Sequence, residues 1–393
     1  MGAIVSGGSS SAAASSGCRL AQALSKALYQ AKLLRLASEA QPRSLTVRKI
    51  APPTALRSST LRRAAPALCF PMRFLVLPVL LLLSRVWGAD RHGTGFVHAG
   101  MCDASAAVAL DDRHFIAASD EESVLRVYAN DQDGPPTQII DLTAFLQTDP
   151  KHPETDIEGA TRVGDIIYWI TSHTRNRDGR ERASRYRFFA TRVITNAGAV
   201  TVRPEGQPQA GLLHQILNEP KLAKYRLSRA AQLSPKVPGS FNIEGLCATP
   251  EGHLLICLRS PLADGRAILV PLANPAEVVQ GRAARFLDPI ELNLKGEGIR
   301  DIQFADSRYI LIAGEPHGRG NIHVYRWHGI GREPKMVKHS RLKQFNAEAV
   351  VLYPGRTEVQ LLSDDGRQKA GGTDCKDSDN TPMRRFRSLW LNL

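Results

Sequence analysis

A short unit of two apolar runs around a turn recurs along the C-terminal three quarters of the chain. It constrains the fold more than any other feature. The first copy runs from Asp103 to Val108, turns at Asp111-Asp112 and returns through Phe115 to Asp120. The second opens Asp156-Ile157-Glu158-Gly159-Ala160, turns at Gly164-Asp165 and returns through Ile166 to Ile170, then Thr171-Ser172-His173. The third opens Asn242-Ile243-Glu244-Gly245-Leu246 and returns through Leu254 to Leu258, then Arg259-Ser260. The fourth opens Gly298-Ile299-Arg300-Asp301-Ile302 and returns through Tyr309 to Ala313, then Gly314-Glu315. The fifth opens Asn346-Ala347-Glu348-Ala349-Val350 and returns through Val359 to Leu362, then Ser363-Asp364. Paired β-rich runs bounded by turn formers read as hairpins. Further strands are expected at 124–128, 186–193, 267–272 and 322–327, and a last one over 384–393.

Three or four strands per unit, with units about 50 residues apart, is the spacing of propeller blades. Ser105, Glu158, Glu244, Arg300 and Glu348 are separated by 53, 86, 56 and 48 residues. The long gap holds an insertion or another blade. Pro220 to Ala231 inside it reads as a short helix with Pro in its first turn, part of a helical insertion near 216–232. The expected architecture is therefore all-β, a β-propeller of five to seven blades. A β-sandwich is the rival, and the matching hairpin openings favour radial repetition.

The N-terminal segment is different in kind. Residues 1–88 carry 12 Lys/Arg and 1 acid, whereas residues 89–393 carry 39 basic and 37 acidic residues. The basic balance of the chain therefore belongs mostly to this leader, and nucleic acid is not an expected partner of the folded part. Met72-Arg73, the apolar or Pro run Phe74–Leu83, and Val86 and Gly88 ahead of Ala89 have the three parts of a secretory signal. Ten residues do not span a bilayer. The expected division is a leader over 1–71, a signal peptide over 72–88 and a propeller over 89–393, with export to the periplasm or outside. Two accounts of residues 1–71 stay open. Met72 is the true start, or the Ser/Ala/Arg-rich stretch is a transit peptide for an organelle.

Cys102, Cys247, Cys257 and Cys375 lie in the folded part, and the absence of Cys-x-x-Cys argues against structural zinc. Cys102 and Cys375, near the two ends of the domain, could pair in an oxidising compartment. Alternatively all four are reduced, with Cys247 and Cys257 as small core residues.

In a propeller the first strand of each blade lines the central channel. Glu158, Glu244 and Glu348 would converge there with Arg300 and Ser105. Crowded carboxylates need a cation, a proton or an Arg between them. Hard oxygen donors suit Ca²⁺ or Mg²⁺, so Glu158, Glu244 and Glu348 are the expected metal set, and Arg300 could orient an anion. The other account is structural: such acids accept from backbone N–H groups and stitch blades together. The loop from Ser172 to Phe188 carries six Arg from 175 to 187. His173, Arg175, Arg182 and Arg185 are therefore candidates to hold a phosphate or carboxylate; a solvated basic hairpin is the alternative. No nucleophile elbow, Walker loop, His-Glu-x-x-His or dinucleotide fingerprint occurs.

The openings Asp156–Ala160 and Phe241–Leu246, with Ser172-His173 and the Arg-rich stretch to Thr191, resemble a bacterial domain-of-unknown-function family, number 3616, over roughly residues 100–370. The resemblance implies an exported, propeller-like fold and supplies no activity to carry over. The Ile-Glu-Gly openings are more distantly similar to phytase-like and esterase-like propellers, where acids at the channel mouth bind Ca²⁺ and act on phosphate esters. Arg300 departs from that pattern. Two functions follow as expectations. One is a propeller that binds an anionic ligand or partner at the channel mouth. The other is a divalent-metal-dependent hydrolase of phosphate or other esters.

Overall fold

A computed structural model of the chain describes residues 93–196, 199–318, 320–339, 342 and 345–393. The leader and signal segments read from the sequence lie outside the described residues. Four-stranded antiparallel sheets account for most of the rest, and there are five of them. The first blade is Ala106–Ala109, His114–Ala118, Val124–Ala129 and Gln138–Asp141. The second is Ile157–Val163, Ile166–Thr171, Phe188–Asn196 and Ala199–Gln209. The third is Asn242–Ala248, Leu254–Ser260, Ala267–Leu272 and Ile290–Leu292. The fourth is Gly298–Ala305, Arg308–Gly314, Ile322–Trp327 and Lys335–Val337.

The fifth blade closes the ring. Its inner three strands are Ala347–Leu352, Glu358–Ser363 and Arg385–Asn392, and its outermost strand is Gly95–Ala99, paired antiparallel to Arg385–Asn392. The first and last strands of the domain thus share one sheet, which leaves no gap between the first and last blades. A disulfide, Cys102–Cys375, ties the same two ends together. The innermost strands neighbour one another in cyclic order, the fifth beside the first. The fold is a five-bladed β-propeller, at the lower end of the expected range. The 86-residue gap contains an insertion and no sixth blade. A long outer hairpin in the second blade is followed by a helical stretch, Leu212–Asn218, Pro220–Tyr225 and Leu227–Ala230.

Each interface between neighbouring blades holds its own apolar core. Trp169 and Phe189 of the second blade pack toward Ile116 and Val127 of the first. Trp327 and Tyr325 of the fourth pack with Leu255 and Leu269 of the third. Trp390 and Phe386 of the fifth pack with Phe115 and Tyr128 of the first. The helical stretch contributes Leu212, Ile216, Leu222 and Leu227 to the core between the second and third blades. Burying side chains of this size contributes about 1.5–3 kcal/mol each, so the ring is held by its seams. Cys247 and Cys257 are free and buried in the seam between the third and fourth blades, as small core residues. Burial pushes both thiols well above their usual range. Among the described residues no helix is long and apolar enough to cross a membrane.

Candidate functional site at the channel mouth

Four of the five inner strands are interrupted at the same place. The pairing register shifts between Ile157 and Gly159, Ile243 and Gly245, Ile299 and Asp301, and Ala347 and Ala349. The residue passed over in each case is Glu158, Glu244, Arg300 or Glu348. A β-bulge leaves its extra residue out of the ladder and re-aims its side chain. In the second, third and fifth blades a Gly or Ala follows and permits close approach. A Cβ on Gly159 would lie 2.9 Å from the Leu246 backbone nitrogen of the next blade.

The second strand of each hairpin runs back to this same end of the channel. It delivers Asp120 in the first blade, Ser172-His173 in the second, Arg259 in the third and Asp364 in the fifth. The mouth is therefore built from two shells of residues, the bulges and the ends of the returning strands.

One side of the mouth is neutralised internally. Arg300 Nη2 donates to Glu348 Oε1 at 2.5 Å, and Arg300 Nε lies 3.6 Å from Glu244 Oε2. Arg259 Nη1 and Asn242 Nδ2 donate to Glu244 Oε1 at 2.5 and 2.8 Å. The two carboxylates hold the buried Arg300 guanidinium well above its ordinary pKa against the cost of burial. Burial, opposed by Arg300 and reinforced by Asp364, pushes Glu348 up to about 7.

The other side is an excess of acid. Asp120, Asp156 and Glu158 each place an oxygen within 4.8 Å of the others. Asp156 has left-handed backbone, φ +59°, and its N–H donates to the Asp120 carbonyl at 3.1 Å, which fixes the two acids side by side. Arg185 binds Asp156 Oδ2 at 2.7 Å and also Glu154. Burial, opposed by Arg185, pushes Asp156 up to about 6. Burial and the Asp156 charge push Glu158 well above the usual carboxylate range, and burial and Asp103 do the same for Asp120. Glu158 is 9% exposed, and among the described residues its carboxylate has no hydrogen-bond or ion-pair partner. Beside them, Asp103 accepts from Ser119 Oγ and the Asp120 N–H; burial, Asp364 and Glu348 push it up to about 7.

Bonds from side chains to the backbone of a neighbouring blade belong to residues other than these acids. Asp301 Oδ2 accepts from the Val350 N–H at 2.8 Å and joins the fourth blade to the fifth. Ser105 Oγ donates to the Ile157 carbonyl at 2.6 Å and joins the first to the second. Thr161 Oγ1 accepts from the Ala248 N–H at 2.8 Å and joins the second to the third.

The metal set read from the sequence, Glu158, Glu244 and Glu348, is thus divided. Glu158 faces Asp120 and Asp156, while Glu244 and Glu348 share Arg300. Of the basic-loop candidates, Arg185 reaches the mouth. Arg175 is spent on the Ala231 and Gly179 carbonyls and on Glu181. The guanidinium of Arg182 reaches the Glu181 carbonyl. His173 is buried, its Nδ1 lies 2.8 Å from the Thr171 carbonyl, and desolvation lowers it to about 4, so it is neutral at pH 7. Asp120 and Asp156 stand outside the metal set read from the sequence, and Asp120 is the one that sequence reasoning did not place near the channel at all. Its signal was present: the returning strands end in polar residues, and an antiparallel return must bring those ends back beside the openings.

A family model described as "Protein of unknown function (DUF3616)" matches residues 103–194 and 190–358. No curated protein matches the sequence. Solved structures similar in fold include the glutaminyl cyclase of Myxococcus xanthus, 12% identical with a TM-score of 0.42 over 76% of this chain and 95% of that one. The PQQ-bound aldose sugar dehydrogenase of Streptomyces coelicolor is 13% identical, with a TM-score of 0.37 over 76% and 99%. A Trypanosoma rangeli sialidase is 11% identical, with a TM-score of 0.35 over 67% of this chain and 42% of that one.

Proposed function

Because this chain belongs to the family described as protein of unknown function (DUF3616), whose description carries no reaction, we propose a function from its own geometry: the channel mouth binds a divalent cation on Asp120, Asp156 and Glu158 and through it an anionic ligand. The observation that carries this reading is Glu158, a carboxylate nine-tenths buried without a partner, beside two further carboxylates at ligand spacing. An unpaired buried carboxylate costs several kcal/mol, and a bound cation offsets that cost. All-oxygen donors suit Ca²⁺ before softer metals. Arg185, which binds both Asp156 and Glu154, holds Asp156 in place beside the cation and keeps a positive charge at the mouth for an anion bound there. The Cys102–Cys375 disulfide suits an oxidising compartment and so fits the export that is part of this proposal.

The test is calorimetric titration of metal-stripped protein with Ca²⁺ and Mg²⁺, with thermal melts in parallel. Saturating Ca²⁺ raises the melting temperature and EDTA reverses the rise; Asp120→Asn and Glu158→Gln abolish it. Absence of heat and of any melting shift at millimolar Ca²⁺ and Mg²⁺ overturns the proposal.

A second reading, hydrolysis of phosphate or other esters, is favoured by one observation. Asp103 and Glu348 are pushed up to about 7, which keeps a transferable proton on a carboxyl near neutral pH, as general acid catalysis requires. A bound cation would supply Lewis-acid polarisation. Turnover of an ester panel that needs Ca²⁺ and is lost in Glu348→Gln supports it; no turnover of any ester rejects it.

A further inference from the structure

Beside the acidic mouth the second and third blades carry a surface of opposite sign. The Arg-rich loop and the segment after the helical insertion lie against each other: Arg175 Nε donates to the Ala231 carbonyl and Ser234 Oγ to the Arg177 carbonyl, both at 3.1 Å. Residues 175–182 and 226–236 together hold seven Lys/Arg and two acids, Asp178 and Glu181. This is a local excess within a domain that is close to neutral. Arg175 and Glu181 pair with each other. Arg177, Arg180, Arg226, Arg229 and Lys236 are exposed, and among the described residues their side chains have no hydrogen-bond or ion-pair partner. Arg226, in left-handed backbone (φ +53°), precedes the short helix that carries Arg229.

Exposed, unpaired charges of one sign give this face a positive field that attracts anions. The composition narrows the visitor. Protein interfaces are anchored by buried aromatic or aliphatic side chains, and membrane-surface helices need an apolar face. Here neither segment holds a large exposed hydrophobic among the described residues, and Val237, 41% exposed, lies just beyond the second. Guanidiniums without apolar anchors suit a flexible, heavily charged chain, bound by charge and paired to carboxylate or sulfate through the arginine fork. The disulfide suits a compartment outside the reducing cytosol, where acidic polysaccharides are chains of this kind. We infer that this surface, formed by Arg177, Arg180, Arg226, Arg229 and Lys236, binds an acidic polysaccharide, independently of the cation site.

The test uses the folded chain on heparin-agarose and in titrations with polygalacturonate, each over a range of NaCl. Retention that weakens steeply with salt is expected. Arg177→Gln/Arg180→Gln/Arg229→Gln, on exposed side chains, should weaken binding about tenfold or more while leaving the melting temperature and its Ca²⁺ response unchanged. Asp120→Asn should do the reverse, losing the Ca²⁺ response and keeping the polysaccharide. The inference is overturned if neither polymer binds at low salt, if the triple variant binds as the parent does, or if single-stranded DNA or poly-glutamate binds more tightly than both polysaccharides.

Discussion

Arg300 donates to Glu348 at 2.5 Å across the boundary between the fourth and fifth blades, where both residues are the extra members of β-bulges. Its Nε faces Glu244 of the third blade, so one guanidinium joins three blades at the channel mouth. Arg300 is 4% exposed, and among the described residues it is the ion-pair partner of Glu348.

Removing that cation leaves buried carboxylates facing one another. Arg300→Met should cost about 3–5 kcal/mol of stability, the size expected when one partner of a buried ion pair is deleted. Adding Glu348→Gln should recover part of the loss. Urea unfolding of the two single variants and the double variant measures this; additive losses would show that the two residues are not coupled.

Cation binding at Asp120, Asp156 and Glu158 should weaken as pH falls. Ligand carboxylates bind a metal in their ionised form, and all three have raised pKa values, Asp156 at about 6. Ca²⁺ titrations should show proton release at pH 7 and a loss of affinity of tenfold or more between pH 7 and pH 5. Affinity that is flat over this range would mean that the cation sits on other groups.

The Cys102–Cys375 disulfide closes a loop across 273 positions of sequence, nearly the whole propeller. A cross-link this long removes a large share of unfolded-state entropy, about 5 kcal/mol in the chain-entropy account. Cys102→Ser/Cys375→Ser should therefore unfold at markedly lower denaturant and keep its blade structure in native buffer. Equal midpoints for parent and variant would contradict this.

His98 lies in the outermost strand of the closing blade, 1% exposed, stacked on Phe386 with its Nε2 2.9 Å from Ser388 Oγ. Desolvation lowers it to about 4. The unfolded chain, with a His pKa near 6.5, takes up a proton that the folded chain refuses. The contribution is full above pH 6.5 and is lost as pH falls toward 4, at up to about 1.4 kcal/mol per pH unit. His98→Gln should flatten the stability profile between pH 6.5 and 5 by up to one proton. Denaturant midpoints at pH 7, 6 and 5 for both proteins give the difference; parallel profiles would rule the effect out.

Much of the fold was legible in the chain itself. Apolar alternation and turn residues report locally which run is a strand and which residue opens it, so the hairpins, the helical insertion and the openings at Glu158, Glu244, Arg300 and Glu348 could be read residue by residue. Periodicity does not report which distant strand completes a sheet. The outer strand Gly95–Ala99 is short and ordinary in sequence, and only pairing with Arg385–Asn392 makes it the closure of a five-bladed ring. The bulges were equally silent, because a bulge depends on the register with a partner strand. The division of the acids was decided in three dimensions as well. Ring closure sets Arg300 between Glu244 and Glu348, and the antiparallel return of the first hairpin carries Asp120 to Asp156 and Glu158. Sequence determined which charges open the inner strands; tertiary structure decided that Asp120 joins them, which of them neutralise each other and where the acids are left in excess.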